Sequence, residues 1–305
     1  MVVNRNTLFL FEFLKTTQSN TTMAKSALLK SSIAKKYWMA LTGLFLCLFL
    51  AGHLAGNLQL IFSDALHFNQ YALFMTSNPA VKLLSYLTYI SILFHAVDGI
   101  MLTIQNKKAR PVGYAKNNPC ANSTFSSRNM AVLGTLVLVF IVTHMVSFWA
   151  VMHFDEKMPL QTISIPMMGQ TQELYVTTNG GYMATSQVAK SYEEAMKTGA
   201  QNYIDHRTEF YNTMAKIKVA DGYKDLHKIT VAFFKDAKFG LIYTVLYVLA
   251  MFALAFHLLH GFQSAFQSLG INNKFTPAIK TFGTLFAIVV PLLFAIIPVI
   301  LHFKK

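Results

Sequence analysis

The sequence has few charged residues and almost no cysteine, and both shortages narrow the class of protein. Asp, Glu, Lys and Arg make up 13% of the 305 residues, whereas soluble domains carry about 25%. The two cysteines cannot build a disulfide framework, and no Cys-x-x-Cys-His motif exists for c-type haem attachment. A cysteine cluster for iron–sulfur binding and a glycine-rich dinucleotide-binding turn are also missing. These shortages argue against a disordered chain and an ordinary cytosolic enzyme.

Apolar sequence is abundant instead. Hydrophobic residues reach 54%, and Phe alone occurs 26 times. A membrane-spanning helix needs roughly 20 mostly apolar residues, and it must satisfy its own backbone hydrogen bonds in lipid. Five stretches qualify, numbered span 1 to span 5 in chain order: Tyr37–Phe62, Val81–Ile104, Met130–Met152, Phe239–Phe266 and Phe282–Phe303. The sequence therefore predicts an all-α integral membrane protein whose five transmembrane helices form a bundle.

The net charge of +13 predicts membrane orientation and no nucleic-acid partner, because the basic residues lie in short loops beside apolar segments. Lys and Arg precede span 1, lie between spans 2 and 3, and lie between spans 4 and 5: Lys25, Lys30, Lys35, Lys36, Lys107, Lys108, Arg110, Lys116, Arg128, Lys274 and Lys280. Positions 63–80 have none. We therefore expect the N-terminus inside and the C-terminus outside.

Positions 153–238 have a different composition, with ten acidic and ten basic residues. We call this segment the insert, and the topology places it outside the membrane. Apolar residues at near-helical spacing within it are interrupted by Gly199; they are Tyr192, Ala195, Met196 and Tyr203. We expect an extracytoplasmic helical segment of about two surface helices, preceded by a less regular piece over Pro159–Gly181. The predicted divisions are 1–36 (cytoplasmic), 37–152 (spans 1–3), 153–238 (insert) and 239–305 (spans 4–5).

Histidine inside the spans is the informative feature, because ionisable residues at membrane depth are costly and are functional candidates. His53 in span 1 and His144 in span 3 lie at one depth, roughly 12–14 Å from the outer ends of their helices. His95 in span 2 and His257 in span 4 share a second depth near the inner side. Two imidazoles at one level can clamp a haem iron. The pattern predicts two haems, whereas an isolated intramembrane histidine is more often a packing residue or part of a proton path.

Small residues beside the histidines would admit a flat macrocycle by letting helices approach closely. They are Gly52, Gly56, Ala96, Gly99 and Gly261. His260 lies one turn after His257 and is a candidate to bond a haem propionate or to face a neighbouring helix. Asp98 is the one carboxylate in the five predicted spans, and a propionate-linked network, a partner contact and a proton relay are open for it.

The chain resembles a known family at these segments. Ser31–Leu44, Gly52–Asn57, Leu93–Gly99, Thr143–Met145 and His257–Ser264 are similar to the two-haem cytochrome b anchor of succinate dehydrogenase and fumarate reductase, the five-helix type. The similarity covers about 31–152 and 239–303. It implies that His95 and His257 hold a haem b near the iron–sulfur subunit and that His53 and His144 hold the distal haem b. The family's spacing to two glycines favours His257 over His260.

The same resemblance implies partners and a location. A flavoprotein with FAD and an iron–sulfur subunit would dock on the cytoplasmic face of a bacterial inner membrane, at the basic loop Lys107–Arg128. The chain would be a subunit of a succinate:quinone oxidoreductase, embedded in lipid, and the whole complex could form a higher oligomer. It would contribute the site that reacts with a quinone, with menaquinone as the expected one, and no dicarboxylate chemistry of its own.

Asn57 and Asp64 are the quinone candidates, because a quinone needs an apolar slot with hydrogen-bonding groups. A helix-packing amide and a solvated loop acid are the plainer interpretations of these two. Ala255 stands where some family members carry a proton-conducting Glu, which leaves that route open to question. A haem b anchor of another membrane dehydrogenase is one alternative function. A histidine-lined transporter or proton channel is another, although the chain shows no internal repeat.

Overall fold

The computed structural model describes residues 31–113, 118–167 and 169–304. Five helices in this part of the chain are long and apolar enough to cross a membrane: Ile33–Phe62, Pro79–Lys108, Met130–Phe154, Gly240–Ser268 and Thr276–Phe303. The prediction of five spans is confirmed, and the chain is a multi-pass helical membrane protein. Most of the predicted segment 1–36 lies outside the described residues, as does Lys116.

The described α-helices are numbered here in chain order. They are α1 (Ser32–Phe62), α2 (Ala65–Ser77), α3 (Pro79–Lys108), α4 (Pro119–Asn122), α5 (Phe125–Arg128), α6 (Met130–His144), α7 (Val151–Phe154), α8 (Tyr192–Thr198), α9 (Leu226–Phe234), α10 (Gly240–Ser268) and α11 (Thr276–Phe303). Spans 1, 2, 4 and 5 are α1, α3, α10 and α11. Span 3 is α6 and α7, joined by a π-helical turn over Met145–Ala150. Span 2 begins at Pro79 because the Asn78 side chain caps it, accepting from the Ala80 N–H at 2.9 Å.

Spans 1 to 4 form a ring of four helices. Span 1 contacts span 2, span 2 contacts span 3, span 3 contacts span 4, and span 4 contacts span 1. Span 5 packs against spans 1 and 4 from outside the ring, where Ala287 and Pro291 are fully buried. Spans 1 and 3 are therefore diagonal partners across the ring, and so are spans 2 and 4.

The described part of the insert contains seven short β-strands besides the two helices α8 and α9, so the predictions of an all-α fold and of a purely helical insert are wrong. One antiparallel sheet contains β1 (Thr162–Met167), β2 (Gln170–Val176) and β3 (Tyr182–Ala184) in that order. The second contains β4 (Val188–Ala189), β5 (Asn202–Asp205), β6 (Glu209–Asn212) and β7 (Lys218–Asp221). The piece predicted to be irregular therefore holds the β1–β2 hairpin. The near-helical stripe forms only the short α8, which ends at Gly199 with φ +73°.

The insert is fixed to one end of the bundle, which we call the insert end. Lys224 Nζ donates to the Met152 carbonyl at 2.6 Å, and Arg207 donates to the His153 carbonyl. These two cations satisfy carbonyls that the end of span 3 leaves without helical partners. At the end of span 5, His302 Nδ1 lies 2.6 Å from the Phe234 carbonyl and donates to it.

A buried polar network joins the insert to α2, the short helix between spans 1 and 2. Asn69, with 1% of its surface exposed, donates from Nδ2 to Gln161 and, at 2.8 Å, to Asp225 Oδ1. Its Oδ1 accepts from the His227 N–H at 3.0 Å. Because all the polar atoms of one amide are engaged, α2 and the insert meet in one defined arrangement.

Candidate functional site

Two pairs of histidine rings lie within the ring of spans 1 to 4. The His53 and His144 ring centroids are 5.9 Å apart with an interplanar angle of 86°. The His95 and His257 centroids are 6.2 Å apart at 67°. Each pair joins two diagonal partners, spans 1 and 3 or spans 2 and 4. The structure thus brings together the same rings that the depth argument predicted to meet.

Two glycines that the sequence analysis missed lie against the rings of the His95–His257 pair. A Cβ atom on Gly43 of span 1 would lie 3.1 Å from His95 Cε1, and one on Gly134 of span 3 would lie 3.5 Å from His257 Cε1. Each glycine stands ten residues before the histidine of the first pair on its own helix, at 53 or 144. Ten helical residues rise about 15 Å, so the two pairs occupy levels about 15 Å apart. That shared spacing was the available sequence signal.

The tautomer of His95 is set by Thr42. The Thr42 hydroxyl donates its single hydrogen to the Trp38 carbonyl at 2.7 Å, and its oxygen lies 3.3 Å from His95 Nδ1. The oxygen can therefore only accept from the ring, so Nδ1 carries the proton. His95 Nε2 then keeps its lone pair, which is the form that binds a metal.

His144 has a hydroxyl neighbour of its own. Its Nδ1 lies 3.3 Å from the Tyr247 hydroxyl oxygen of span 4. The Tyr247 ring is held between Phe140 and Phe234, with centroids at 4.9 and 5.0 Å. The π-helical turn starts at the residue after His144, and such turns are frequent at functional sites.

The remaining two rings have different surroundings. His257 Nδ1 is buried and has no hydrogen-bond partner among the described residues. His53 Nε2 lies 3.3 Å from Asn57 Nδ2, which also donates to the His53 carbonyl at 2.8 Å. The Asn57 amide therefore occupies a ring nitrogen that a metal would need.

Two histidine rings at each level suit a metal ion whose other coordination positions are filled by a macrocycle. Metal–imidazole bonds are about 2.0–2.1 Å long, which places two rings on one metal about 6 Å apart between centres. Both pairs have this separation. In the described residues no group of three or more His, Cys, Asp or Glu side chains could hold a bare metal ion. Two axial imidazoles suffice for haem iron, and such an iron has no open position, which suits electron transfer. The Asn57 contact with His53 is the one departure.

The glycines predicted to line the haems do not face a histidine ring. Gly52 is exposed, and a Cβ there would meet nothing within 4 Å in the described structure. The nearest side chain to Gly56 is Tyr71 of α2. Gly99 and Gly261 lie nearest to methionine methyl groups, at 3.7 and 3.4 Å from the added Cβ; these are Met39 and Met130.

Two of the other predicted residues lie one turn from a paired histidine, and the third caps a helix. His260 Nε2 is 3.1 Å from the Ser264 hydroxyl, one turn further along span 4. Asp98 is half-buried one turn after His95. Asp64 is the N-cap of α2, where its carboxylate accepts from the His67 N–H at 2.8 Å. The carboxylate therefore has a structural role in starting α2.

Aromatic side chains cover the His53–His144 pair at the insert end. Phe148 lies one turn after His144, with centroids 5.3 Å apart, and contacts Phe233 of α9 at 5.1 Å. Phe233 in turn stacks on Tyr243 of span 4 at 4.3 Å and 10°. This layer separates the pair from the polar part of the insert.

The ion pairs of the insert centre on Lys218 and Glu209. Lys218 Nζ is 2.8 Å from both Glu209 and Asp221. Its hydrogen bond to Glu209 lowers the pKa of that carboxyl group, and its hydrogen bonds to the two acids raise its own pKa. Burial lowers the pKa of His227 beside the Asn69 network. No comparable paired set of acids lies near the histidine pairs in the described structure.

Comparison of the chain with models of protein families, with curated proteins and with solved structures finds no match in any of the three. The fold and the site therefore define the class: a multi-pass helical membrane protein with two stacked histidine pairs inside its bundle.

Proposed function

We propose that the chain is the membrane anchor of a succinate:quinone oxidoreductase. It passes electrons between an iron–sulfur subunit and a quinone, menaquinone in our proposal, through two bis-histidine b haems. The observation that carries the proposal is the geometry of the two pairs, with ring centroids at 5.9 and 6.2 Å and levels about 15 Å apart. Two redox centres stacked in this way make a path across the bilayer. The sequence contexts of His53 and His95 favour this oxidoreductase over other haem enzymes.

Each side chain has a defined task in this proposal. His95 and His257 would hold one haem, and His53 and His144 would hold the other; bound haem would supply one-electron iron chemistry. Thr42 keeps the His95 proton on Nδ1, away from the metal-binding nitrogen. Asn57 must release His53 Nε2 while it keeps its bond to the backbone carbonyl. The aromatic layer at the insert end excludes water from the His53–His144 level.

The distribution of Lys and Arg supports one orientation of the chain in the membrane. The end of the bundle opposite the insert carries Lys107, Lys108, Arg110, Arg128, Lys274 and Lys280. We assign this end to the cytoplasmic side of a bacterial inner membrane by the positive-inside rule. The flavoprotein with FAD and the iron–sulfur subunit would dock there, next to the His95–His257 haem. The insert and the C-terminus then lie outside, and the quinone site lies near the His53–His144 haem, with Asn57 and Asp64 as candidates.

Counting haem tests the proposal directly. The chain is produced with haem available, purified in mild detergent, and analysed by haem extraction and a reduced-minus-oxidised spectrum. We expect two haem b per chain, and one after His144→Ala or after His257→Ala. His260→Ala is the matched control, because His260 is one turn from His257 and bonds Ser264, and it should keep both haems. A folded preparation without haem would refute the proposal and favour a transporter or proton channel.

A second measurement identifies the partner enzyme. The complex is purified through a tag on this chain, and electron transfer from succinate to a quinone is compared with transfer to a soluble dye. We expect both activities in the wild type, and His144→Ala should lose the quinone reaction while it retains the dye reaction. A two-haem complex that oxidises hydrogen or formate in place of succinate would assign the chain to another membrane dehydrogenase.

A further inference from the structure

We infer that two hydroxyl groups, those of Thr42 and Tyr247, set the reduction potentials of the two haems independently. Thr42 acts through His95, and Tyr247 acts through His144. Both are positioning residues, since neither lies in the place of an axial ligand. The inference rests on the proposed function, because it concerns the two haems that the histidine pairs would hold.

The hydrogen-bond inventory of the site singles out these two side chains. Each pair has one ring with a hydroxyl oxygen 3.3 Å from Nδ1, Thr42 on His95 and Tyr247 on His144. The second ring of each pair has none in the described structure: His257 Nδ1 is unpartnered, and His53 contacts an amide through Nε2. Each haem would therefore have one axial ligand with a hydrogen-bonded outer nitrogen.

The direction of both hydrogen bonds follows from the chemistry of the ligand. Thr42 has two backbone carbonyl acceptors for its hydrogen on its own helix, Trp38 at 2.7 Å and Met39 at 3.2 Å, so it accepts from His95. His95 also has a hydrogen bond to the Met39 backbone, so loss of the Thr42 hydroxyl removes one of two acceptors. An imidazole that binds iron through Nε2 carries its proton on Nδ1. His144 in that state must likewise donate to the Tyr247 oxygen. Both rings thus share their Nδ1 proton with a hydroxyl group.

This sharing changes the iron potential in a known direction. A hydrogen bond from Nδ1–H raises the basicity of the coordinated nitrogen. A more basic ligand stabilises the ferric state, which takes up one electron to become ferrous without loss of the ring proton. Removal of the acceptor should therefore raise the midpoint potential of that haem alone. The Tyr247 contact lies among aromatic rings, where little water is available to replace the lost hydroxyl.

The two contacts are well separated in the bundle. Thr42 joins span 1 to span 2, and Tyr247 joins span 4 to span 3. They lie at the two histidine levels, which are about 15 Å apart. A substitution at one contact should leave the other haem unchanged, and this selectivity distinguishes tuning from a general loosening of the fold.

Redox titration of the purified two-haem protein, followed optically and by electron paramagnetic resonance, tests the inference. Tyr247→Phe should shift only the His53–His144 haem to higher potential, and Thr42→Val should shift only the His95–His257 haem. Thr42→Ser should leave the potential of the His95–His257 haem at its wild-type value, because serine keeps the hydroxyl group. Tyr243→Phe is the control for Tyr247, since the Tyr243 hydroxyl makes no hydrogen bond within the described residues.

The possible results separate cleanly. Unchanged potentials in both variants, equal shifts of both haems, or loss of a haem from Tyr247→Phe would overturn the inference while leaving the haem count of the wild type as evidence for the proposed function. Absence of haem from the wild type would defeat the proposed function itself, before any variant is compared.

Discussion

Replacement of Asn69 by Ala should detach α2 from the insert without unfolding the bundle. The substitution removes two donated hydrogen bonds and one accepted bond from a side chain that is 1% exposed. It leaves Gln161 and Asp225, each 4% exposed, without their amide partner. A buried polar group that loses its partner costs about 1–3 kcal/mol, so three such losses amount to about 3–9 kcal/mol, and water that enters the gap brings the value towards the lower end.

Hydrogen exchange measured by mass spectrometry on the detergent-purified protein provides the assay. A local free-energy loss of about 3 kcal/mol corresponds to exchange about a hundredfold faster, and we expect it in α2, at the start of β1 and in α9. Asn106→Ala is the matched control, because Asn106 is exposed and its side chain makes no hydrogen bond in the described part of the chain. Equal exchange in wild type and Asn69→Ala would refute the idea that this network holds the insert in place.

Two further predictions concern the site and the insert. Gly43→Val should displace the His95 ring and remove one of the two proposed haems, because even a Cβ atom would lie 3.1 Å from that ring. Gly52→Val is the control and should keep both haems, because a Cβ atom there meets nothing within 4 Å. Haem extraction from the two variants measures the difference. In the insert, Lys218 lowers the pKa of Glu209 below its ordinary 4.5, so this ion pair contributes stability above pH 4.5 that is lost as the pH falls below it. Thermal unfolding on either side of that pH should show this dependence in the wild type and a weaker one in Lys218→Met; equal dependence would contradict the assignment.

The spans were predictable because their signal is long and continuous. Each predicted span coincides with a helix of the structure, and the differences are confined to the ends. Span 2 starts at Pro79 and span 5 at Thr276, earlier than the apolar runs, because capping and a helix-compatible Pro extend them beyond the membrane core. Hydropathy reports lipid contact and does not report where a helix begins outside lipid.

The insert was not predictable in the same way. Its strands are two to seven residues long, and their burial is incomplete on both faces, so alternation is weak. The stripe through Tyr192 and Tyr203 suggested a helix, yet Tyr203 belongs to β5 and stacks on Tyr211 of β6 at 5.6 Å. Cross-strand packing therefore produced a spacing that looked helical.

In the site, helix depth predicted which histidines meet, since depth follows from counting residues. Rotation about each helix axis does not follow from counting, and it decides what surrounds a ring. Gly43 and Thr42 therefore escaped notice, while Gly52, immediately before His53, was taken for a lining residue although it points away from the pair.

The diagonal pairing has a consequence for the order in which the protein is made. His53 and His144 both precede the insert, so their pair is complete in the growing chain before position 153 is reached. His257 follows the insert, and the second pair must wait until the insert has been synthesised and span 4 has entered the membrane. Phe233 of α9, near the end of the insert, and Tyr247 of span 4 also come later in the chain than this pair. During synthesis the His53–His144 pair can therefore form first, and under the proposed function haem could reach it before the insert and span 4 cover it.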